Sequence, residues 1–248
     1  MGGEEVASFE SVAGEYDAGR PGYPPGVYDA LGSLGGLVVL DVGAGTGIAT
    51  RELLSRDAAM VVAVDPGGVL LDRAVARTRS LPAVQADGAV LPVRDGVIDL
   101  VCFAQAWHWL DASTRVSEAH RVLSPRGRWA GWWSHARADG EDWFDAYWSA
   151  IEQACRGTHR RQRDTDWGAT VAESGLFTLE VFEEVPWLRE ITVDLWMIDQ
   201  LSHSYVVALS PADRDRLTGT LRGILDQRFR DGTMAVRYET WLWIAARA

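Results

Sequence analysis

The 248-residue chain predicts an α/β fold: a doubly wound, seven-stranded, mostly parallel sheet with helices on both faces. Three observations carry that prediction. Strand-like and helix-like segments alternate through the first 135 residues. The strand segments are continuous apolar runs, as expected when both faces of a sheet are covered. One of them, Val38-Val39-Leu40-Asp41-Val42, leads into Gly43-Ala44-Gly45-Thr46-Gly47, with a glycine at every second position. A helical pattern starts at once after it. Strand, tight glycine turn and helix start form the layout of a nucleotide-binding βα unit.

In chain order, strands are expected over residues 37–42, 60–64, 83–85, 97–103 and 128–134, with helices over 47–55, 69–78 and 114–122 between them. Segments 179–185 and 238–245 are apolar or aromatic and read as two closing strands. Between these two, residues 193–229 carry Leu195, Trp196, Ile198 and Leu201, then Leu217, Leu221, Ile224 and Leu225, a helical spacing that Asp231-Gly232 terminates. This is a helical insertion positioned to cap a site. No repeat or low-complexity linker divides the chain. A single domain over residues 1–248 is expected, with an N-terminal covering segment at 1–30 and the insertion at about 190–232.

Composition narrows the function. Apolar residues make up 47% of the chain, enough for a sizeable core, and the net charge of −11 comes without any basic run. Nucleic acid and anionic membrane are thereby excluded as main partners. All 24 basic residues are arginine, so Schiff-base and lysine-base chemistry is excluded. Cys102 and Cys155 stand far apart and form neither a zinc motif nor a disulfide framework. His120, His135, His159 and His203 are not spaced as metal ligands, so no metal is expected. The acidic Met1-Gly2-Gly3-Glu4-Glu5 start lacks a signal core, and no apolar run approaches membrane-spanning length; a cytoplasmic protein is expected.

The glycine turn also discriminates between nucleotides. A dinucleotide fingerprint needs a third glycine where Ile48 stands, and Asp41 is foreign to it, which disfavours an NAD(P)-dependent oxidoreductase. Asp65, in Ala63-Val64-Asp65-Pro66 at the end of the second strand, suits a ribose diol, since a carboxylate's two oxygens match adjacent hydroxyls. Gln85-Ala86-Asp87-Gly88-Ala89 follows the third strand, and 91–101 runs Leu-Pro-Val-Arg-Asp-Gly-Val-Ile-Asp-Leu-Val into the fourth. The D-x-G-x-G-x-G turn and these later segments together resemble the class I S-adenosylmethionine (SAM) dependent methyltransferases. Ala104-Gln105-Ala106-Trp107-His108-Trp109 resembles the A-x-A-x-H-W subgroup that includes trans-aconitate methyltransferases. The N-terminal Tyr16-Asp17, Arg20-Pro21 and Tyr23 fit the same subgroup. The likeness is specific over residues 8–135 and general beyond.

The resemblance implies SAM as cofactor, S-adenosylhomocysteine as product, and a Rossmann-like methyltransferase fold. It places SAM on Tyr16, Arg20, Gly43, Ala44, Gly45, Asp65, Pro66, Asp87, Gly88 and Gln105. In it Asp87 faces the adenine amino group, and the N-terminal segment folds over the cofactor so that Arg20 meets the SAM carboxylate. Tryptophans after the fourth and fifth strands suggest an aromatic acceptor pocket of Trp107, His108, Trp109, Trp132 and Trp133, faced by Trp196 and Tyr205 of the insertion. His108 is the candidate catalytic residue, as proton acceptor or as pocket wall. Arg137 and Arg189 are candidate polar anchors. The expected activity is methyl transfer to a small-molecule acceptor on oxygen, carbon or a carboxylate, in bacterial specialised metabolism. A non-catalytic SAM-binding protein with a partner-binding lid is the alternative.

Overall fold

The computed structural model describes residues 22–160 and 164–248. Seven strands form one sheet in the order β3-β2-β1-β4-β5-β7-β6. They are β1 Val38–Val42, β2 Met60–Asp65, β3 Ala83–Gln85, β4 Ile98–Ala104, β5 Leu123–Ala136, β6 Phe177–Thr192 and β7 Thr233–Arg247. The first five are mutually parallel, and β7 runs antiparallel to both β5 and β6. All seven strands expected from the sequence are present. The last three are longer than expected, because β5, β6 and β7 extend past the sheet as a pairing that reaches Ala136↔Tyr238 and Thr192↔Thr233.

The helices are α1 Pro25–Ala30, α2 Ile48–Leu54, α3 Gly68–Arg77, α4 Arg115–Val122, α5 Asp142–Ala154, α6 Trp167–Ala172, α7 Val193–Leu201, α8 Ser204–Val207 and α9 Pro211–Arg228. Alternation along the strands sends successive residues to opposite faces. Val39, Leu100, Cys102, Ala130, Trp132, Leu242 and Ile244 pack against α1 and α2. Leu40, Val101, Phe103, Trp129, Trp133, Trp243 and Ala245 pack against α4 and Val171 of α6. Burial on both sides explains why the strands read as unbroken apolar runs.

A further core lies beyond the sheet. Trp143, Phe144, Tyr147, Trp148 and Ile151 of α5 pack on Trp196 and Met197 of α7 and on Leu217, Leu221 and Leu225 of α9. The extended ends of β5 and β7 close it with Ala136, Val236 and Tyr238. The expected helical insertion therefore exists, and it recruits α5, a helix the sequence analysis did not delimit. Among the described residues, no helix is long and apolar enough to cross a membrane.

Asp41 illustrates how tightly β1 is enclosed. Its side chain is fully buried, with one carboxylate oxygen accepting the Thr50 hydroxyl at 2.6 Å and the other without a hydrogen-bond partner. Burial raises its pKa to about 6, against the opposing effect of the Thr50 hydrogen bond. The folded state thus holds a proton that the unfolded chain releases nearer pH 4. Stability from this group is complete below the unfolded value and is lost as pH rises through about 6. Asp41→Asn is expected to gain about 2–3 kcal/mol on the wild type between pH 4 and pH 7. Urea denaturation of both proteins across that range is the check, and parallel stability curves would contradict it.

Candidate active site

Two adjoining cavities open at the carboxyl ends of the strands. The strand order reverses between β1 and β4, which is where open α/β sheets bind ligands. The narrower one, about 80 Å³, is a cleft lined by Val42, Gly43, Gly45, Asp65, Pro66, Leu70, Asp87, Gly88, Ala104, Gln105, Ala106, Trp109 and Leu110. The turn after β1 shapes it. Gly43 and Gly45 have φ of 73° and 55°, the left-handed region that disfavours a side chain. The Gly43 and Ala44 amides donate to the Val64 carbonyl at 2.8 and 3.1 Å, stitching the turn to β2. A Cβ on Gly45 would meet nothing within 4 Å, so bare backbone faces the cleft.

Asp65 ends β2 and is 5% exposed. Its two oxygens accept the Gly45 amide at 2.9 Å and the Gly67 amide at 2.8 Å. The carboxylate thereby organises both turns. Asp87 takes the Ala89 amide at 2.9 Å and stands at the cleft's open side. Asp99, by contrast, accepts the Val38 amide at 2.9 Å and the Ser124 hydroxyl at 3.3 Å, tying β4 to its neighbours.

Gln105 and Trp109 line both cavities. Gln105 has a φ of 55°, a strained conformation for a residue with a side chain, held by its amide donating to the Trp132 carbonyl at 2.9 Å. This bend turns the chain out of β4 and into a 3₁₀ turn, Trp107–Trp109, which delivers His108 to the second cavity.

That second cavity is about 540 Å³, within the range of small-molecule sites. One wall comes from the strand ends and α6. Trp133 and Trp167 stack at 5.3 Å, and His108 lies 4.7 Å from the Trp109 ring and 6.1 Å from Trp167. The Trp133 indole N–H donates to His108 Nδ1 at 3.2 Å. An indole nitrogen only donates, so the neutral His108 ring carries its proton on Nε2. Arg115 braces this wall from behind, its guanidinium 5.0 Å from the Trp107 ring and 5.4 Å from Trp167.

The other wall comes from α5, α7 and α8. Trp196 donates to the Tyr147 hydroxyl at 3.0 Å, and Gln200 to the Tyr205 hydroxyl at 2.8 Å. Asp199 and Tyr238 both line the cavity and both bind Arg189 Nη1, at 2.7 and 2.9 Å. His203 follows α7, its Nδ1 facing the carbonyl oxygens of Asp199 at 2.9 Å and Gln200 at 3.2 Å. Carbonyls only accept, so that nitrogen bears the proton.

The structure therefore assembles Gly43, Gly45, Asp65, Pro66, Asp87, Gly88 and Gln105 in the cleft, and His108, Trp109, Trp133, Trp196 and Tyr205 in the cavity. Other expectations need correction. Trp107 is completely buried, edge-on to Phe103 and Trp129 at 4.6 and 5.3 Å, because the 3₁₀ turn directs it into the core. Trp132 is likewise buried, on the α1–α2 face. Ala44 points away from the cleft and packs with Ala63, Leu71 and Ala74. Neither arginine anchor lines the cavity: Arg137 pairs with Asp164 and Glu239, and Arg189 is buried behind Asp199. Tyr16 and Arg20 lie outside the described residues.

The sequence analysis missed His203, Asp199, Tyr147, Trp148 and Trp167 as cavity residues. Four of the chain's five histidines line this one cavity, yet no described group of His, Cys, Asp and Glu is arranged to hold a metal ion. That clustering comes from the long-range packing of α5 and α7 on β5 and β7, and no sequence spacing reports it.

Comparison with known proteins shows what this chain is similar to. Residues 40–130 match the family model described as a methyltransferase domain. An uncharacterized methyltransferase of Mycobacterium tuberculosis is 43% identical over 121 residues, 49% of each chain. A malonyl-(acyl-carrier protein) O-methyltransferase of Geobacter sulfurreducens is 33% identical over 161 residues, 59% of this chain and 58% of that one. The chain thus spans about half the length of the curated relatives it matches. Among solved structures, a protein assigned as a type II methyltransferase from Anaeromyxobacter dehalogenans superposes with a TM-score of 0.69 at 20% identity, over 92% of this chain and 97% of that one. Geranyl diphosphate C-methyltransferase of Streptomyces coelicolor, solved with S-adenosylhomocysteine, gives 0.52 at 15% identity, over 90% of this chain and 74% of that one. The fold is shared with these methyltransferase structures, and the match to the methyltransferase domain model spans residues 40–130.

Proposed function

We propose that the protein transfers a methyl group from SAM to a small, flat and largely apolar acceptor held in the aromatic cavity. The observation that carries this reading is the junction at Gln105 and Trp109, which line both the cleft beside the glycine turn and a separate aromatic chamber. The cleft fits the cofactor. Bare backbone at Gly45, apolar walls from Val42, Leu70 and Leu110, and two carboxylates suit a purine and a ribose diol. Asp65 would hold the ribose, Asp87 the adenine amino group, and Gly43 and Gly45 the approach of the methionine arm. When bound, SAM supplies a methyl group already activated on a sulfonium sulfur.

The chain's own contribution is then to place the acceptor and exclude water. Trp109, Trp133 and Trp167 give a flat surface beside His108, whose Nε2–H offers a hydrogen bond to an acceptor atom near the cleft. Among the described residues no arginine lines the cavity, and the chain has no lysine. The aromatic walls favour neutral or weakly acidic acceptors. Methylation on oxygen or carbon is favoured, with carboxylate methylation next. We place this activity in the cytoplasm.

His108→Ala is expected to reduce kcat/KM for the acceptor by roughly 10–100-fold, mainly through KM, with S-adenosylhomocysteine affinity unchanged. Radiolabelled SAM with a panel of phenols, naphthols and aromatic acids tests both points. Wild-type kinetics in the variant would remove His108 from the site, and label transfer only to proteins would overturn the small-molecule reading. Hydrogen exchange over residues 193–210 should slow at saturating cofactor if the insertion closes on it; identical exchange would contradict closure.

A further inference from the structure

Two neighbouring strands end in the same turn with different residues. β1 ends at Val42, and the next amide, that of Gly43, donates to the Val64 carbonyl of β2 at 2.8 Å. β4 ends at Ala104, and the next amide, that of Gln105, donates to the Trp132 carbonyl of β5 at 2.9 Å. Both residues take a left-handed φ, 73° and 55°. Glycine adopts it freely, whereas a residue with a Cβ adopts it at a cost. Among the described residues the other non-glycine cases are Asp57 and Ser80, both short, polar and exposed in the turns after α2 and α3. Gln105 is long and half-buried, and it borders both cavities. No hydrogen bond within the described residues engages its side-chain carboxamide. A strained residue with an uncommitted polar group, kept where glycine would serve the turn, points to a ligand.

We propose that the Gln105 carboxamide hydrogen-bonds the oxygen of the methyl acceptor and holds it where the chamber meets the cleft. The inference rests on the small-molecule methyltransferase reading and deepens it. It names the residue that selects an oxygen-bearing acceptor, such as an aromatic hydroxyl, over an apolar ring of the same shape. A methyl group passes from a ligand in one cavity to a ligand in the other only where the two adjoin, and Gln105 and Trp109 are the residues that line both. Trp109 brings a ring and an indole donor. Gln105 brings an amide that donates through Nε2 and accepts through Oε1, the complement of a hydroxyl, which does both. Displacement at a methyl carbon requires the incoming oxygen to be held in line, which is what a hydrogen bond at the junction supplies. A carboxamide does not titrate near neutral pH, so Gln105 orients the acceptor and takes no proton from it. The Trp132 carbonyl pins the backbone beneath it, so the position of the amide follows from the bend.

The test compares 2-naphthol with naphthalene, which lacks the oxygen, by fluorescence titration of the protein with S-adenosylhomocysteine present. The wild type should bind 2-naphthol about tenfold more tightly than naphthalene. Gln105→Met keeps the length of the side chain and removes both hydrogen-bonding atoms; it should bind the two probes equally. Altered packing alone would change both affinities alike and leave the preference in place. Gln105→Gly frees the left-handed bend; it should lose the same preference while its Tm rises by about 2–4 °C. A 2-naphthol preference that survives Gln105→Met would overturn the inference. So would loss of S-adenosylhomocysteine affinity with that preference intact, which would assign the residue to the cofactor, or a Tm below wild type in Gln105→Gly, which would assign it to the fold. Wild-type protein that binds S-adenosylhomocysteine but neither probe would overturn the small-molecule reading itself, and this inference with it.

Discussion

Gly43→Ala is expected to abolish tight binding of S-adenosylhomocysteine and to cost about 2–5 kcal/mol of stability. Two effects add. The residue has a φ of 73°, where a Cβ costs roughly 1–2 kcal/mol. That Cβ would also stand 2.4 Å from the Ala106 Cβ, too close for any real pair of carbons. Relief requires backbone movement, at a cost of about 1–3 kcal/mol. Ala106 belongs to the segment that carries Gln105 and His108, so the displacement reaches both cavities. Adding Ala106→Gly removes the contact and leaves the φ cost, so the double variant should recover part of the stability. Urea denaturation and calorimetry on the two variants separate these terms. Unchanged ligand affinity in Gly43→Ala would mean the turn does not touch the ligand.

Asp65→Ala should weaken cofactor binding by about tenfold to several hundredfold, since charge-assisted hydrogen bonds contribute roughly 1.5–3 kcal/mol each. The structure adds a second consequence. The Gly45 and Gly67 amides both donate to this carboxylate, so the alanine variant also loosens the glycine turn and the start of α3. Asp65→Asn keeps an acceptor for one of those amides and should fall between wild type and alanine. Calorimetry with S-adenosylhomocysteine on folded variants is the check. Equal affinities across the series would show that the ribose is held elsewhere.

The cleft beside the glycine turn was legible in the sequence because its determinants are local. A glycine turn, an acid ending the next strand and an acid after the third lie within a few residues of strand ends, and parallel pairing brings those ends together. The errors there are of side-chain direction. Ala44 and Trp107 sit within segments that do build the site, but a turn sends neighbouring residues opposite ways, and the motif does not record which. The acceptor cavity was legible only on its strand side, through Trp109, Trp133 and His108. Its other wall depends on the side chains of α5, α7 and α9 sharing one core and on the paired extension of β5 and β7. His203 and Asp199 reach the cavity through that packing, between residues far apart in the chain. Arg189 shows the same limit: its charge marks it as an anchor in the sequence, whereas burial against Asp199 and Tyr238 makes it part of the scaffold.

Calorimetric titration of the protein with SAM, S-adenosylhomocysteine and NAD tests the central claim most directly. The cleft geometry predicts saturable one-to-one binding of SAM and S-adenosylhomocysteine, lost in Gly43→Ala, and no measurable binding of NAD. Tight NAD binding without binding of either sulfur ligand would contradict it.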